Sequence, residues 1–137
     1  MSQNICQSAA VANEVSPRVI VAGKCEIQSL RALLTKPTRC LLVVDCEGAE
    51  LELLDPEYAP ELLHCDMIIE CHDFMNPRIT TTLRERFSAT HNLENVVEGS
   101  RDPNQFESLR GWQSIDRWIA VNEGRTAMTN WLVCWAH

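Results

Sequence analysis

The chain has 137 residues, 45% of them hydrophobic and 23% charged, with a formal net charge of −7. That length and balance fit one globular domain, 1–137, with a core of its own rather than a disordered tail. The acidic balance, with no run of Lys or Arg, excludes a nucleic-acid or anionic-membrane surface, and no apolar stretch approaches the roughly 20 residues of a spanning helix.

Ile5 to Val15 is Ala-rich with apolar residues at helical spacing, and Ser16-Pro17 stops it. Arg18 to Ala22 reads as a short β-branched strand ended by Gly23. Ile27 to Leu34 places Leu30, Leu33 and Leu34 on one helical face before Lys36-Pro37 breaks it. Cys40 to Asp45 is an apolar strand that ends in acid. Ala49 to Leu54 is a helical turn after Gly48, and Pro60 to His64 starts a second short helix. Met67 to Glu70 is the next strand, followed at once by His72 and Asp73. Asn76-Pro77 opens a helix through Thr90, because a first-turn proline sacrifices no hydrogen bond.

Leu93 to Val97 is expected as an edge strand, and Asp102-Pro103 starts another short helix. Ser114 to Val121 reads as a helix with Ile115, Trp118 and Ile119 facing inward. Asn130 to Trp135 closes the chain as a strand. Strands alternating with helices predict an α/β fold with a mostly parallel sheet. The tail breaks that alternation, so an antiparallel strand is expected at the C-terminal edge.

The seven cysteines, at 6, 25, 40, 46, 65, 71 and 134, include no Cys-x-x-Cys pair. An odd count within apolar runs, and a start at Met1-Ser-Gln-Asn without basic or apolar leader character, predict free thiols in a reducing cytoplasm. Zinc is not expected on that spacing. Trp112, Trp118, Trp131 and Trp135 are expected to pack the core of the C-terminal half.

The chemistry is expected at the strand ends. A short apolar run ending abruptly in carboxylates is how a central parallel strand reads when its carboxyl end opens into a ligand crevice. Two in succession predict neighbouring strands sharing one crevice. Asp45 and Glu47 then sit at its mouth, although an Asp there also suits a cap for the following turn. Glu70 and His72 alternate with Met67, Ile69 and Cys71, and both are expected toward the crevice with Asp73 beside them. An imidazole titrates near neutrality and suits proton transfer; equally, it can hydrogen-bond Asp73 or a nearby carbonyl. Glu50 and Glu52 read as solvated faces of a helical turn, and His64 and His91 as surface or capping groups. The set Asp45, Glu47, Glu70, His72 and Asp73 also suits magnesium or manganese, which keeps a metal-dependent hydrolase as an alternative.

Val43-Val44-Asp45-Cys46-Glu47-Gly48-Ala49-Glu50 resembles the Asp-x-Glu-Gly-Ala-Glu signature that ends the fourth strand of FkbM-type methyltransferases. These are class I enzymes that use S-adenosylmethionine. Met67-Ile-Ile-Glu70-Cys-His72 is similar to their fifth strand, and Ala12 to Gly23 to the passage from helix into third strand. The resemblance implies a Rossmann-like class I methyltransferase sheet, with strand order 3-2-1-4-5-7-6, truncated to its later part. It implies O-methyl transfer to a small hydroxylated acceptor, with Asp45, Glu47 and His72 as catalytic groups and Glu70 and Asp73 binding substrate. Gly23, Lys24 and Cys25 take the place where the family contacts the adenine edge of S-adenosylmethionine.

The family's glycine-rich loop has no counterpart here, since the five glycines at 23, 48, 99, 111 and 124 are isolated. The first two strands are therefore expected to be missing, and strand 18–22 to pair directly with strand 40–45 by a right-handed crossover. Otherwise an unpaired strand edge is left for a second copy or a partner chain to complete. The competing expectation is a methyltransferase remnant that is inactive by itself and acts as a partner-binding module.

Overall fold

The parallel core is carried by two apolar runs that the sequence places a helical connection apart. A computed structural model describes residues 2–35, 39–122, 124 and 127–137. Its elements in chain order are α1 (Ser2–Ala12), α2 (Ile27–Leu34), β1 (Leu41–Val44), α3 (Glu50–Leu53), β2 (Asp66–Cys71), α4 (Ile79–Phe87), β3 (His91–Val97), α5 (Ser114–Ala120) and β4 (Asn130–Ala136). Short 3-10 turns cover Ser16–Arg18, Pro60–His64, Pro103–Gln105 and Glu107–Leu109. The proposed helix break at Lys36-Pro37 lies outside the described residues.

The strands form one mixed sheet in the order β1-β2-β4-β3. β1 and β2 are parallel, with Leu41 opposite Asp66 and Val44 opposite Ile69. A parallel pair needs a crossover, and α3 with the turn at Pro60–His64 supplies it. β4 runs antiparallel to both β2 and β3, with Ile69 opposite Leu132 and Leu93 opposite Cys134.

Strand alternation sends successive side chains to opposite faces. Met67, Ile69 and Cys71 of β2 and Leu132 and Cys134 of β4 are buried on one face. α4 covers that face with Ile79, Leu83 and Phe87, spaced four residues apart and fully buried. Leu30 of α2, Leu54 and Leu62 complete the cluster. Each such side chain contributes about 1.5–3 kcal/mol by leaving water.

Arg39 grips the carboxylate of Asp66 with two hydrogen bonds, Nε to Oδ2 at 2.7 Å and Nη2 to Oδ1 at 2.9 Å. This clamp ties the entry of β1 to the entry of β2. Cys40 and Cys65, one residue before these strands, bring their Sγ atoms to 3.0 Å.

Several expectations are corrected. Residues 18–22 form no strand: Ser16–Arg18 is a 3-10 turn, and Ile20 is 91% exposed. β-branched residues make a strand only when a neighbour takes their backbone hydrogen bonds. The edge of β1 is consequently the end of the sheet among the described residues. The antiparallel strand is not the edge either: β4 lies between β2 and β3, and β3 is the edge. Leu41 and Val43 are exposed, so β1 is buried on one face and not on both. On α5, Ile115, Trp118 and Ile119 face solvent, and Trp112 and Trp135 are also exposed. His91, expected at the surface, is buried and contacts the Cys65 carbonyl oxygen through Nε2 at 2.9 Å. Among the described residues, no helix is long and apolar enough to cross a membrane.

Candidate active site at the carboxyl ends of β1 and β2

The chain leaves β1 through a turn that only a particular backbone permits. Glu47 has φ 51° and Gly48 φ 97°, so two successive residues lie at positive φ before α3 begins. Glycine suits the second because a side chain there is strained. A Cβ on Gly48 would also stand 3.2 Å from Cε of Met75. The turn is closed by the amide of Ala49 donating to the Cys46 carbonyl oxygen at 3.2 Å. Asp45 and Glu47 are thereby left at the strand tip with exposed side chains.

Glu50, the first residue of α3, is fully buried. Its Oε1 accepts the amide of Gly48 at 3.2 Å and lies 2.5 Å from Nδ1 of His72. Its Oε2 is buried and has no hydrogen-bond partner among the described residues. A buried carboxylate is costly unless paired, and His72 is the group that pairs it. Arg86 holds α3 in place by donating from Nη1 to the carbonyls of Leu51 at 2.7 Å and Leu54 at 3.0 Å, while its Nη2 binds the Asp55 carboxylate.

His72 follows directly on β2 and is itself 2% exposed. The chain turns sharply there, with the amide of Met75 donating to the His72 carbonyl oxygen at 2.8 Å. Phe74 meets the imidazole edge-on at 5.6 Å between ring centres. With Nδ1 committed to Glu50, Nε2 faces the tip of β1, 3.6 Å from Asp45 Oδ1 and 3.5 Å from Glu47 Oε2. Asp45, Glu47 and His72 each present one ligand atom within 4.8 Å of the others. No Lys or Arg is paired with Asp45, Glu47 or Glu50 among the described residues.

The two strand tips therefore meet, as the sequence predicts for Asp45, Glu47 and His72. The other candidates lie elsewhere. The Asp73 carboxylate is taken up by the amide of Thr80 at 2.9 Å, by the Thr80 hydroxyl and by Asn130 Nδ2 at 3.5 Å. It fixes the start of α4 against β4. Glu70 is buried within β2 opposite Trp131, on the sheet face away from α4. The premise for Gly23, Lys24 and Cys25 as cofactor contacts, a strand over 18–22, is not met. Lys24 and Cys25 are exposed, Lys24 Nζ lies 3.9 Å from Glu26 Oε1, and Gln3 donates to the Ala22 carbonyl oxygen at 3.1 Å. A surface groove along α1, lined by Asn4, Ile5, Ser8, Ala9 and Ala12, carries no titratable side chain.

Glu50 is the residue that sequence reading misses. The signal was present: Glu50 and Leu54 are four residues apart on one helical face, and Leu54 is fully buried. Cys46 is no nucleophile in this setting, because burial first and the Glu50 charge second push its thiol up to about 12. The arrangement offers oxygen and imidazole acceptors on a buried floor of Glu50 and His72, with an exposed rim of Asp45 and Glu47. No protein-family model, no curated protein and no solved structure matches the chain.

Proposed function

We propose that the chain is a class I methyltransferase-like protein whose β1 and β2 tips form the acceptor side of an O-methyl-transfer site for a small hydroxylated molecule. The observation that carries this reading is the meeting of Asp45 and Glu47 with His72 at 3.5–3.6 Å across two parallel strand ends. It is supported by the order β1-β2-β4-β3 with β4 reversed. That order matches the 4-5-7-6 half of the sheet that the Asp45-to-Glu50 signature implies.

In this reading Asp45 and Glu47 accept hydrogen bonds from acceptor hydroxyls, and Glu50 holds the His72 ring so that Nε2 meets the same hydroxyls. Holding the reacting oxygen in one orientation is the main catalytic contribution required, because a sulfonium donor is already activated. The donor side does not fit: Gly23, Lys24 and Cys25 lie off the sheet, and the chain has no glycine-rich loop.

A second reading, a non-catalytic partner-binding module with the same ancestry, is favoured by the free edge of β1 and the exposed Leu41 and Val43. Calorimetric titration of the full chain with S-adenosylmethionine separates the two. Binding at micromolar strength is the result that transfer requires; no heat at millimolar concentration removes the enzyme and leaves the module.

A further inference from the structure

We infer that Asp45, Glu47 and His72 bind a divalent cation of the manganese–magnesium class, with Glu50 orienting the imidazole from behind. Two exposed carboxylates would mean little by themselves. The second observation is His72, which is 2% exposed yet has an Nε2 that makes no hydrogen bond among the described residues and aims between those carboxylates. Its other nitrogen is fixed by a fully buried carboxylate at 2.5 Å. A histidine with one nitrogen tied to a carboxylate and the other presented to oxygen ligands is the arrangement by which proteins orient an imidazole on a metal.

The spacings fit. Donor atoms bound to one small divalent ion at about 2.1–2.2 Å stand about 3.0–3.6 Å apart at bond angles near 90–115°. Nε2 lies 3.6 Å from Asp45 Oδ1 and 3.5 Å from Glu47 Oε2, spacings that neighbours on one cation take. The charge also fits. Asp45, Glu47 and Glu50 gather three carboxylates around one imidazole, with no Lys or Arg paired to them among the described residues. Two oxygens and one imidazole nitrogen suit Mn2+ best, since magnesium prefers an all-oxygen shell and zinc closed sites richer in nitrogen or sulfur. The exposed rim leaves coordination positions for water or for paired oxygens of a diol or hydroxy acid.

This site stands on the side chains and does not need the methyl-transfer reading; cation binding and S-adenosylmethionine binding are separate titrations, and either can fail alone. The test is titration of the full chain with Mn2+, followed by electron paramagnetic resonance of the free ion and by paramagnetic broadening of amide signals. Saturation at one equivalent is expected, with broadening first at Asp45 to Gly48 and at His72 and Asp73. The double variant Asp45→Asn/Glu47→Gln changes only exposed groups and should weaken binding at least tenfold. Glu50→Gln keeps the hydrogen-bonding shape and should weaken it about 10–100-fold, the range for a group that orients a metal-bound histidine. Absence of saturation up to 1 mM Mn2+ overturns the site. So does affinity unchanged by the double variant, which would mark diffuse attraction to an acidic protein.

Discussion

The two faces of the sheet have similar apolar content and unequal cover. On one, Met67, Ile69, Leu132 and Cys134 are fully covered by α4 and the segments around α2 and α3. On the other, Leu41, Val43 and Trp135 remain exposed. Hydrophobicity of a strand residue is thus not what buries it. A face is buried when a helix with its own apolar stripe is available to cover it, and α4 supplies such a stripe in Ile79, Leu83 and Phe87. α3 packs on the covered side through Leu54 and the Arg86 hydrogen bonds, and its first residue, Glu50, reaches His72 at the strand end.

Substitutions can break that contrast, beginning with the largest effect. Leu132→Ala should cost about 2–5 kcal/mol by leaving a cavity in the covered face, whereas Val43→Ala on the bare face should stay within about 0.5 kcal/mol. Urea unfolding of both variants checks this, and comparable losses would mean that something covers Val43. Arg86→Ala removes charged hydrogen bonds to the carbonyls of Leu51 in α3 and of Leu54 just after it, and to Asp55, and should cost about 2–3 kcal/mol. It should also speed hydrogen exchange of the α3 amides more than those of β4.

Gly48→Ala sharpens the comparison at the site itself. It places a Cβ at φ 97° and 3.2 Å from Met75 Cε, and a loss of about 1–3 kcal/mol is expected. Thermal melts measure it. Gly99→Ala has open space and no positive φ, so it serves as the neutral control.

The pH profile tests the same frame through charge. The hydrogen bonds from Arg39 hold the Asp66 carboxyl below its ordinary 3.8. A depressed carboxyl stabilises the fold above its unfolded value and loses that contribution as pH falls through the folded one. Stability should therefore hold down to about pH 4 and decline below it, and Asp66→Asn should flatten this acid limb. At the other end, burial pushes the Cys65 and Cys134 thiols up from 9.0 to about 12. The unfolded chain ionises first, so their contribution is complete below about pH 9 and is lost as pH rises toward 12. Urea midpoints between pH 2 and 11 read both limbs; a flat profile would contradict both assignments.

Much of this molecule was legible residue by residue. The acid-tipped runs ending at Asp45 and at Glu70 are strands, they are parallel, and they deliver Asp45, Glu47 and His72 to one place. Helix α2 matches its predicted span of Ile27–Leu34. The strand predicted over 18–22 fails because Val19, Ile20 and Val21 have the composition of a strand but no strand to pair with among the described residues. The inward face predicted for α5 fails for the same reason: Ile115, Trp118 and Ile119 form a helical stripe that is exposed among the described residues. Asp73 looked like a ligand because of its place after the strand, and its carboxylate is instead occupied by Thr80 and Asn130.

Local pattern by itself determined where the chain bends, which runs are extended or helical, and that acids gather at strand ends, since these follow from turn chemistry and side-chain period. Partnership was decided by the tertiary structure alone. It put β4 between β2 and β3, left β1 at the rim, and sank Glu50 beneath His72. Backbone hydrogen bonds and burial are contracts between distant segments, and one segment's residues do not state whether the other will arrive.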